Sequence, residues 1–386
     1  MPFFIGKDRE ARRAYGFDEV ALVPGRLTIN PEEVDVTSKI GKLKLEIPFI
    51  ASAMDGVVDC KFAIAMGKLG GLAVLNLDGI QTRYEKPESI FAKIAKATPE
   101  KATILVQNLY KEPVKESLIP KRIKEIKKAG SLAAVSTIPQ NAWKYGRIVE
   151  DAGADVFFVQ STVTTARHES TQYEVVHFSK LCSELKIPVV IGNVVTYDAA
   201  LELMETGPSG LLVGVGPGAA CTTRGVLGIG VPQVTATIDC ASARDFYYKK
   251  RGKYVSIITD GGMNTGGDIS KAFASGADAV MVGSAFARAS EAPGRGYHWG
   301  MATPNRNLPR GTRIAVGTTG TLKEILFGPA KRDDGTQNLV GALKTCMGSV
   351  GAHNIKELQL TEIIIAPDIT SEGKIFQKSQ KVGMCK

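Results

Sequence analysis

Cys221 ends a glycine-rich loop, Gly214-Val215-Gly216-Pro217-Gly218-Ala219-Ala220-Cys221, that follows an apolar run and continues as Thr222-Thr223-Arg224. A thiolate in that setting is a nucleophile beside backbone that no bulky side chain shields, so a flat ligand can approach closely. Backbone dipoles or a bound cation would favour the thiolate. The Thr223 hydroxyl lies within reach of the same centre. The remaining cysteines show no CxxC pairing and no zinc spacing. Cys60, Cys182, Cys240 and Cys346 read as small buried hydrophobes, and Cys385 as an exposed tail residue.

A second set of residues suits an anion. Asp260-Gly261-Gly262 and Gly283-Ser284 each follow an apolar run. Glycine lets backbone N–H groups close on a phosphate, and the Ser284 hydroxyl adds a donor. Asp268 reads as the N-cap of a helix that aims its positive end at the same anion.

These loops need strands to hold them. Nine apolar runs recur along the chain: Phe49–Met54, Gly71–Leu77, Ile104–Leu109, Leu132–Thr137, Val156–Ser161, Pro188–Val194, Leu211–Gly216, Val255–Asp260 and Ala279–Phe286. Continuous runs of this length suit strands buried on both faces of a parallel sheet. Helix-like segments such as Asp198–Glu205 and Asp268–Ala274 lie between them, giving βαβ units. Nine runs are close to the eight strands of a (β/α)8 TIM barrel, with one run left for an insertion; a doubly wound sheet is the alternative. In a barrel the loops after the strands form one functional rim. Here they read Ser52-Ala53-Met54-Asp55, Gln160-Ser161-Thr162, Gly192-Asn193-Val194, Gly216-Pro217-Gly218, Asp260-Gly261-Gly262 and Gly283-Ser284.

The chain has 386 residues and 41 glycines, a length that such a barrel fills as one domain. No stretch is apolar enough for a membrane span, and the N-terminus lacks a signal-peptide layout, so a cytoplasmic protein is expected. The net charge of +9 is scattered. Its one cluster, Lys121–Lys128, reads as a solvated helix face without the aromatic interleaving of a nucleic-acid patch. An anionic small molecule is the simpler use of the positive field.

Six motifs together resemble the IMP dehydrogenase/GMP reductase family. Gly216–Arg224 followed by Gly230-Val231-Pro232-Gln233 looks like its catalytic-cysteine loop. Tyr15–Val20 resembles its N-terminal signature and Ala51–Asp55 its first nucleotide loop. Asp260-Gly261-Gly262 and Val282-Gly283-Ser284 match its phosphate loops, followed by Glu291-Ala292-Pro293-Gly294. The similarity runs in order from about residue 10 to about residue 365.

The resemblance implies a single (β/α)8 catalytic domain over 1–386, assembled as a homotetramer or octamer. Residues 78–128 are too few for the CBS pair that many relatives carry, which points to the short, CBS-lacking, dehydrogenase-related branch. Residues 303–335 would form a mobile flap and 366–386 a C-terminal tail. Cys221 would attack purine C2 of IMP while hydride leaves for NAD, with Thr223 at the reacting centre. Substrate contacts carried over are Ser52, Met54, Asn193, Asp260, Gly261, Gly262, Gly283, Ser284 and the Met301 backbone. NAD would lie near Gln160, Ser161, Thr162 and Gly214, and potassium on the carbonyls of Gly216, Gly218 and Cys221.

The chain also departs from the family pattern. Ala219 stands where serine is common, Gln160 where dehydrogenases hold the nicotinamide ribose with aspartate, and Leu212 near a usual basic residue. Leu75-Asn76-Leu77 replaces a histidine-containing stretch. Family dehydrogenases hydrolyse the cysteine adduct with a flap arginine–tyrosine pair. Arg306, Arg310 and Arg313 are the arginines available here, Arg306 foremost, and no tyrosine follows any of them. Val316 stands where a GMP reductase would need a glutamate. The resemblance therefore implies NAD-dependent oxidation of IMP to XMP, with NADPH-dependent GMP reduction and non-catalytic nucleotide binding as alternatives.

Overall fold

The computed structural model describes residues 3–171, 175–300, 312–368 and 372–383. Eight parallel strands close into a barrel: β1 (Phe49–Ala51), β2 (Leu72–Asn76), β3 (Ala134–Thr137), β4 (Val156–Gln160), β5 (Val189–Val194), β6 (Gly210–Val213), β7 (Ser256–Asp260) and β8 (Ala279–Val282). Each strand pairs with its sequence neighbours, and β8 closes on β1 through Val280 opposite Phe49. This is the (β/α)8 arrangement that the apolar runs predict, not a doubly wound sheet.

Strand residues alternate between two apolar layers. Ile50, Val74, Phe158, Val190, Leu212 and Ile258 fill the barrel interior. Phe49, Leu75, Phe157, Val159, Ile191 and Leu211 face the surrounding helices. The hairpin Ser38–Ile40 with Leu43–Leu45 packs Ile40 and Leu45 into the interior layer. Ser38 Oγ donates to the Asp278 carbonyl and Ser256 Oγ to that of Lys39, so this hairpin seals the N-terminal end. The opposite end is left to the site.

The ninth run is a helix. Ile104–Leu109 lies in Pro99–Leu109, with Thr98 at the N-cap and Pro99 at the first position. Ala102, Val106 and Leu109 are buried along one face while Ile104 is exposed, a helical period rather than a strand's. It belongs to a helical insertion after β2, formed by Ile80–Arg83, Pro87–Lys96 and Pro99–Leu109 before helix Leu118–Lys128. That last helix contains the basic cluster, but Arg122 is buried and donates to the carbonyls of Gln81, Tyr84 and Glu85. Arg122 thus pins the insertion, and the remaining lysines make the solvated face.

The helix after β7 begins at Gly266, not Asp268. Thr265 is its N-cap, its side chain accepting from Asp268 N, and Asp268 completes the capping box at the third position.

Candidate active site

The loops at the C-terminal end of the barrel converge through specific contacts. Cys221 is exposed, with its sulfur 3.1 Å from Thr223 Oγ1. Thr223 is buried and opens the short helix Thr223–Leu227. The Cys221 N–H donates to the Gly218 carbonyl at 2.9 Å, closing the turn that presents the thiol. Arg224 explains two of the glycines around it. Its side chain runs between Gly216 and Gly230, where any Cβ would fall 2.5 and 2.8 Å from Arg224 Cγ, and its Nη2 donates to the Val231 carbonyl.

Cys60, Cys182 and Cys240 are different in kind. Burial pushes all three thiols up, Cys182 to about 12, which keeps them protonated and unreactive. Among the cysteines with described side chains, Cys221 alone is exposed.

The Cys221 loop is bound to the end of β7. Gly214 adopts φ +152°, and a Cβ there would lie 2.3 Å from the Asp260 carbonyl oxygen. Gln233 Nε2 donates to the Val213 carbonyl at 2.5 Å and, more weakly, to that of Asp260. Pro217 packs on Gly261 and Gly262, both at positive φ. The predicted nucleophile loop and the predicted anion loop therefore form one surface.

The Asp260 carboxylate sits in the middle. Burial pushes its carboxyl up to about 6, opposed by a hydrogen bond from Asn193 Nδ2 at 2.8 Å. Asn193 Nδ2 also donates to the Gly214 carbonyl at 2.9 Å. On the other side, Gly283 brings β8 against β1: a Cβ on it would lie 3.2 Å from Met54 Sδ and 3.5 Å from Ser52 Oγ. Ser284 Oγ pairs with His298 Nε2 at 3.1 Å.

The β4 end provides the other wall. Gln160 has a buried Oε1 with no hydrogen-bond partner. The Ser161 hydroxyl bonds the Val163 carbonyl and Thr164 Oγ1, and Thr164 Oγ1 donates to the Gly192 carbonyl. Ser161 is thus committed to its own turn, leaving Gln160 and Thr162 as the polar groups of this loop. A cavity lined by Pro139, Ser161, Val163, Thr164 and Phe178 adjoins it.

Met301, Arg306 and Arg310 lie outside the described residues, as do 303–311 of the predicted flap. Arg313 is inside them and is immobilised. Its Nη1 donates to the Ile94 carbonyl and its Nη2 to that of Ala97, while its guanidinium covers the Tyr297 ring at 4.1 Å.

Sequence reasoning missed the strand Tyr297–Trp299. It pairs with Arg313–Ala315 and links three of the loops. His298 meets Ser284; Trp299 Nε1 donates to Tyr110 Oη, which bonds Asp55 of the β1 loop. Gly300 beyond it packs on the Ala220 carbonyl beside Cys221. The run of three aromatics after Pro293-Gly294 was the available signal.

Comparison with known proteins identifies the class that this barrel and its cysteine loop define. Residues 14–375 match the model of the IMP dehydrogenase / GMP reductase domain. The chain belongs to that family. It is 38% identical over 364 residues to an uncharacterized oxidoreductase of Mycobacterium tuberculosis (strain ATCC 25618 / H37Rv), covering 92% of this chain and 97% of the relative. It is 32% identical over 398 residues to the inosine-5'-monophosphate dehydrogenase of Cryptosporidium parvum, covering 92% of each. The crystal structure of an IMP dehydrogenase/GMP reductase-like protein from Corynebacterium glutamicum superimposes with a TM-score of 0.89 at 36% identity, covering 94% of this chain and 97% of that one.

Proposed function

We propose that the chain is an NAD-dependent IMP dehydrogenase that converts IMP, NAD and water into XMP and NADH. The observation that carries this reading is the joining of exposed Cys221 to half-buried Asp260 through Gly214 and Pro217. A nucleophile on the same rim as a carboxylate that can accept from ribose hydroxyls supports this chemistry.

The nucleotide phosphate lies at Gly261-Gly262 and Gly283-Ser284, the ribose hydroxyls at Asp260, and the base over Cys221 with Ser52 and Met54 beside it. The Cys221 sulfur bonds purine C2 as the C2–N3 double bond opens, and the thiol proton ends on N3. Thr223 holds the reacting centre by its hydroxyl. Bound NAD supplies the acceptor for the hydride that leaves C2. Water then adds at C2, its proton passes to a base, and the C2–S bond breaks to return Cys221.

The residues present fit the dinucleotide. The orphaned Gln160 Oε1 is a buried acceptor that a ribose hydroxyl would satisfy, in place of the family's aspartate. Potassium would lie on the carbonyls of Gly216, Gly218 and Cys221. The Gly218 carbonyl accepts from Cys221 N–H with one lone pair and keeps the other, and no step uses the ion. Assembly as a homotetramer goes with this reading and is checked by light scattering.

Val316 favours the dehydrogenase over the reductase. It packs on the apolar core and offers no carboxylate for ammonia chemistry. Steady-state assays test the assignment: NADH should appear with IMP and NAD. NADPH consumption with GMP alone would replace the reading with the reductase, and turnover in neither assay would leave a nucleotide-binding protein.

A further inference from the structure

The His298 ring is nearly completely buried, at 1% exposure, and its Nε2 faces the Ser284 hydroxyl at 3.1 Å. Its Nδ1 is buried with no partner. The residue is held on both sides. Its backbone lies against Gly56, where a Cβ would fall 2.8 Å from His298 Cα, and its strand is paired on the far side by Ile314.

A serine hydroxyl has a single proton to give. If Ser284 gives it to His298, only lone pairs face an arriving phosphate, and these repel it. If His298 instead carries its proton on Nε2 and donates to Ser284 Oγ, the serine proton is free for the anion. The buried, unpartnered Nδ1 decides between the two. A proton there would be an orphaned N–H, which folded proteins avoid more strictly than an under-used acceptor. The tautomer protonated on Nε2 is therefore favoured. Burial, with the Arg288 charge behind it, pulls the imidazole down to about 4, so the ring is neutral and holds one proton.

We propose that His298 is a positioning residue that turns the Ser284 hydroxyl into a phosphate donor, so that the site discriminates a nucleoside 5'-monophosphate from the bare nucleoside. This rests on the reading that the phosphate sits at Gly283-Ser284. His298 acts only through Ser284, and neither base nor ribose recognition depends on it.

The test is calorimetric binding of IMP and of inosine to the full chain. In His298→Leu the Ser284 hydroxyl keeps its proton but loses the donor that turns its lone pairs away from the anion, so IMP affinity is expected to fall about fivefold, the scale of one neutral hydrogen bond, with inosine affinity unchanged. His298→Gln, whose amide N–H can donate to Ser284, is expected to recover most of the loss. Ser284→Ala should cost less in the His298→Leu background than in the wild type, since the two residues are coupled. Should the leucine variant fail to fold, His298→Met serves instead: its thioether fills the same space and gives Ser284 no proton, and the loss should again be confined to IMP. Equal losses for IMP and inosine, or no loss for either, would overturn the role of His298. Wild-type protein that binds inosine as tightly as IMP, or binds neither, would overturn the phosphate reading beneath it.

Discussion

Asn193 Nδ2 lies 2.8 Å from Asp260 Oδ2 and 2.9 Å from the Gly214 carbonyl, so one amide ties the ends of three adjacent barrel strands, β5, β6 and β7. It also supplies the hydrogen bond that opposes the burial of Asp260. Asn193→Ala would leave that carboxylate more strongly biased to its protonated form and free to turn. The expected result is a rise in substrate KM of about tenfold, the scale of one charge-assisted hydrogen bond, with a smaller change in kcat. Asp260→Ala should raise KM further; an unchanged KM would place the nucleotide elsewhere.

The pH dependence follows from two carboxyls. Burial pushes Asp260 and Asp55 each to about 6, above the unfolded value of about 3.9. A group raised on folding contributes stability below its unfolded pKa and loses it as pH rises through the folded one. These two groups therefore make the free protein more stable near pH 5 than near pH 7.5. Asp334 and Glu324, held at about 2 by their ion pairs and hydrogen bonds, stay charged across that window and do not cancel the trend. Thermal unfolding checks it: the gain in Tm on acidification should shrink in Asp260→Asn. Binding runs the other way, because an ionised Asp260 is the better acceptor for ribose hydroxyls. Inosine affinity should weaken below about pH 6, free of the phosphate's own titration near 6.

Asp278 should matter for stability alone. It precedes β8 at the sealed end of the barrel and is 3% exposed. Arg244 Nη1 at 3.1 Å, Lys356 Nζ at 2.6 Å, Tyr254 Oη at 2.7 Å and Ile257 N at 2.8 Å all converge on its carboxylate. Those cations hold its carboxyl below the usual range despite burial. Asp278→Ala removes the buried partner of Arg244, which keeps only the exposed Asp245 and the Gly276 carbonyl, and the expected cost is about 3 kcal/mol in denaturant unfolding. KM and kcat of the surviving folded fraction should be those of the parent.

The barrel was readable because its strands are buried on both faces, so each appears as an uninterrupted apolar run. The same signal misled at Ile104–Leu109, where the window was too short to reveal that Ile104 faces solvent while Ala102 and Val106 are buried. The Pro99 start was the better guide. The glycine loops were readable because glycine itself records a backbone constraint, whatever imposes it: Gly214 takes φ +152° and lets the Asp260 carbonyl in. Arg122, His298 and Trp299 were not, because each earns its role from partners at least 14 positions away, as His298 does with Ser284. Nothing in the neighbouring residues records such a pairing.

Arg313 offers the sharpest separation between a chemical and a positioning role. Its fork binds the carbonyls of Ile94 and Ala97 at the end of helix Pro87–Lys96, and its face lies on Tyr297. Trp299, on the same pair of strands, is bound to Tyr110 of the insertion. Together they fasten the strands that carry Gly300 onto Ala220, beside Cys221. A guanidinium held in this way cannot reach a water at purine C2. Arg313→Lys keeps the charge but loses the two-pronged geometry, so kcat should fall about tenfold, in keeping with one or two lost hydrogen bonds. Substrate affinity should hold. Both halves of the reaction should slow together, so intact-mass spectrometry during turnover should find no build-up of the Cys221 adduct. An adduct that accumulates after a burst of NADH would instead make Arg313 the group that activates water, and would require its bonds to the insertion to break in each cycle.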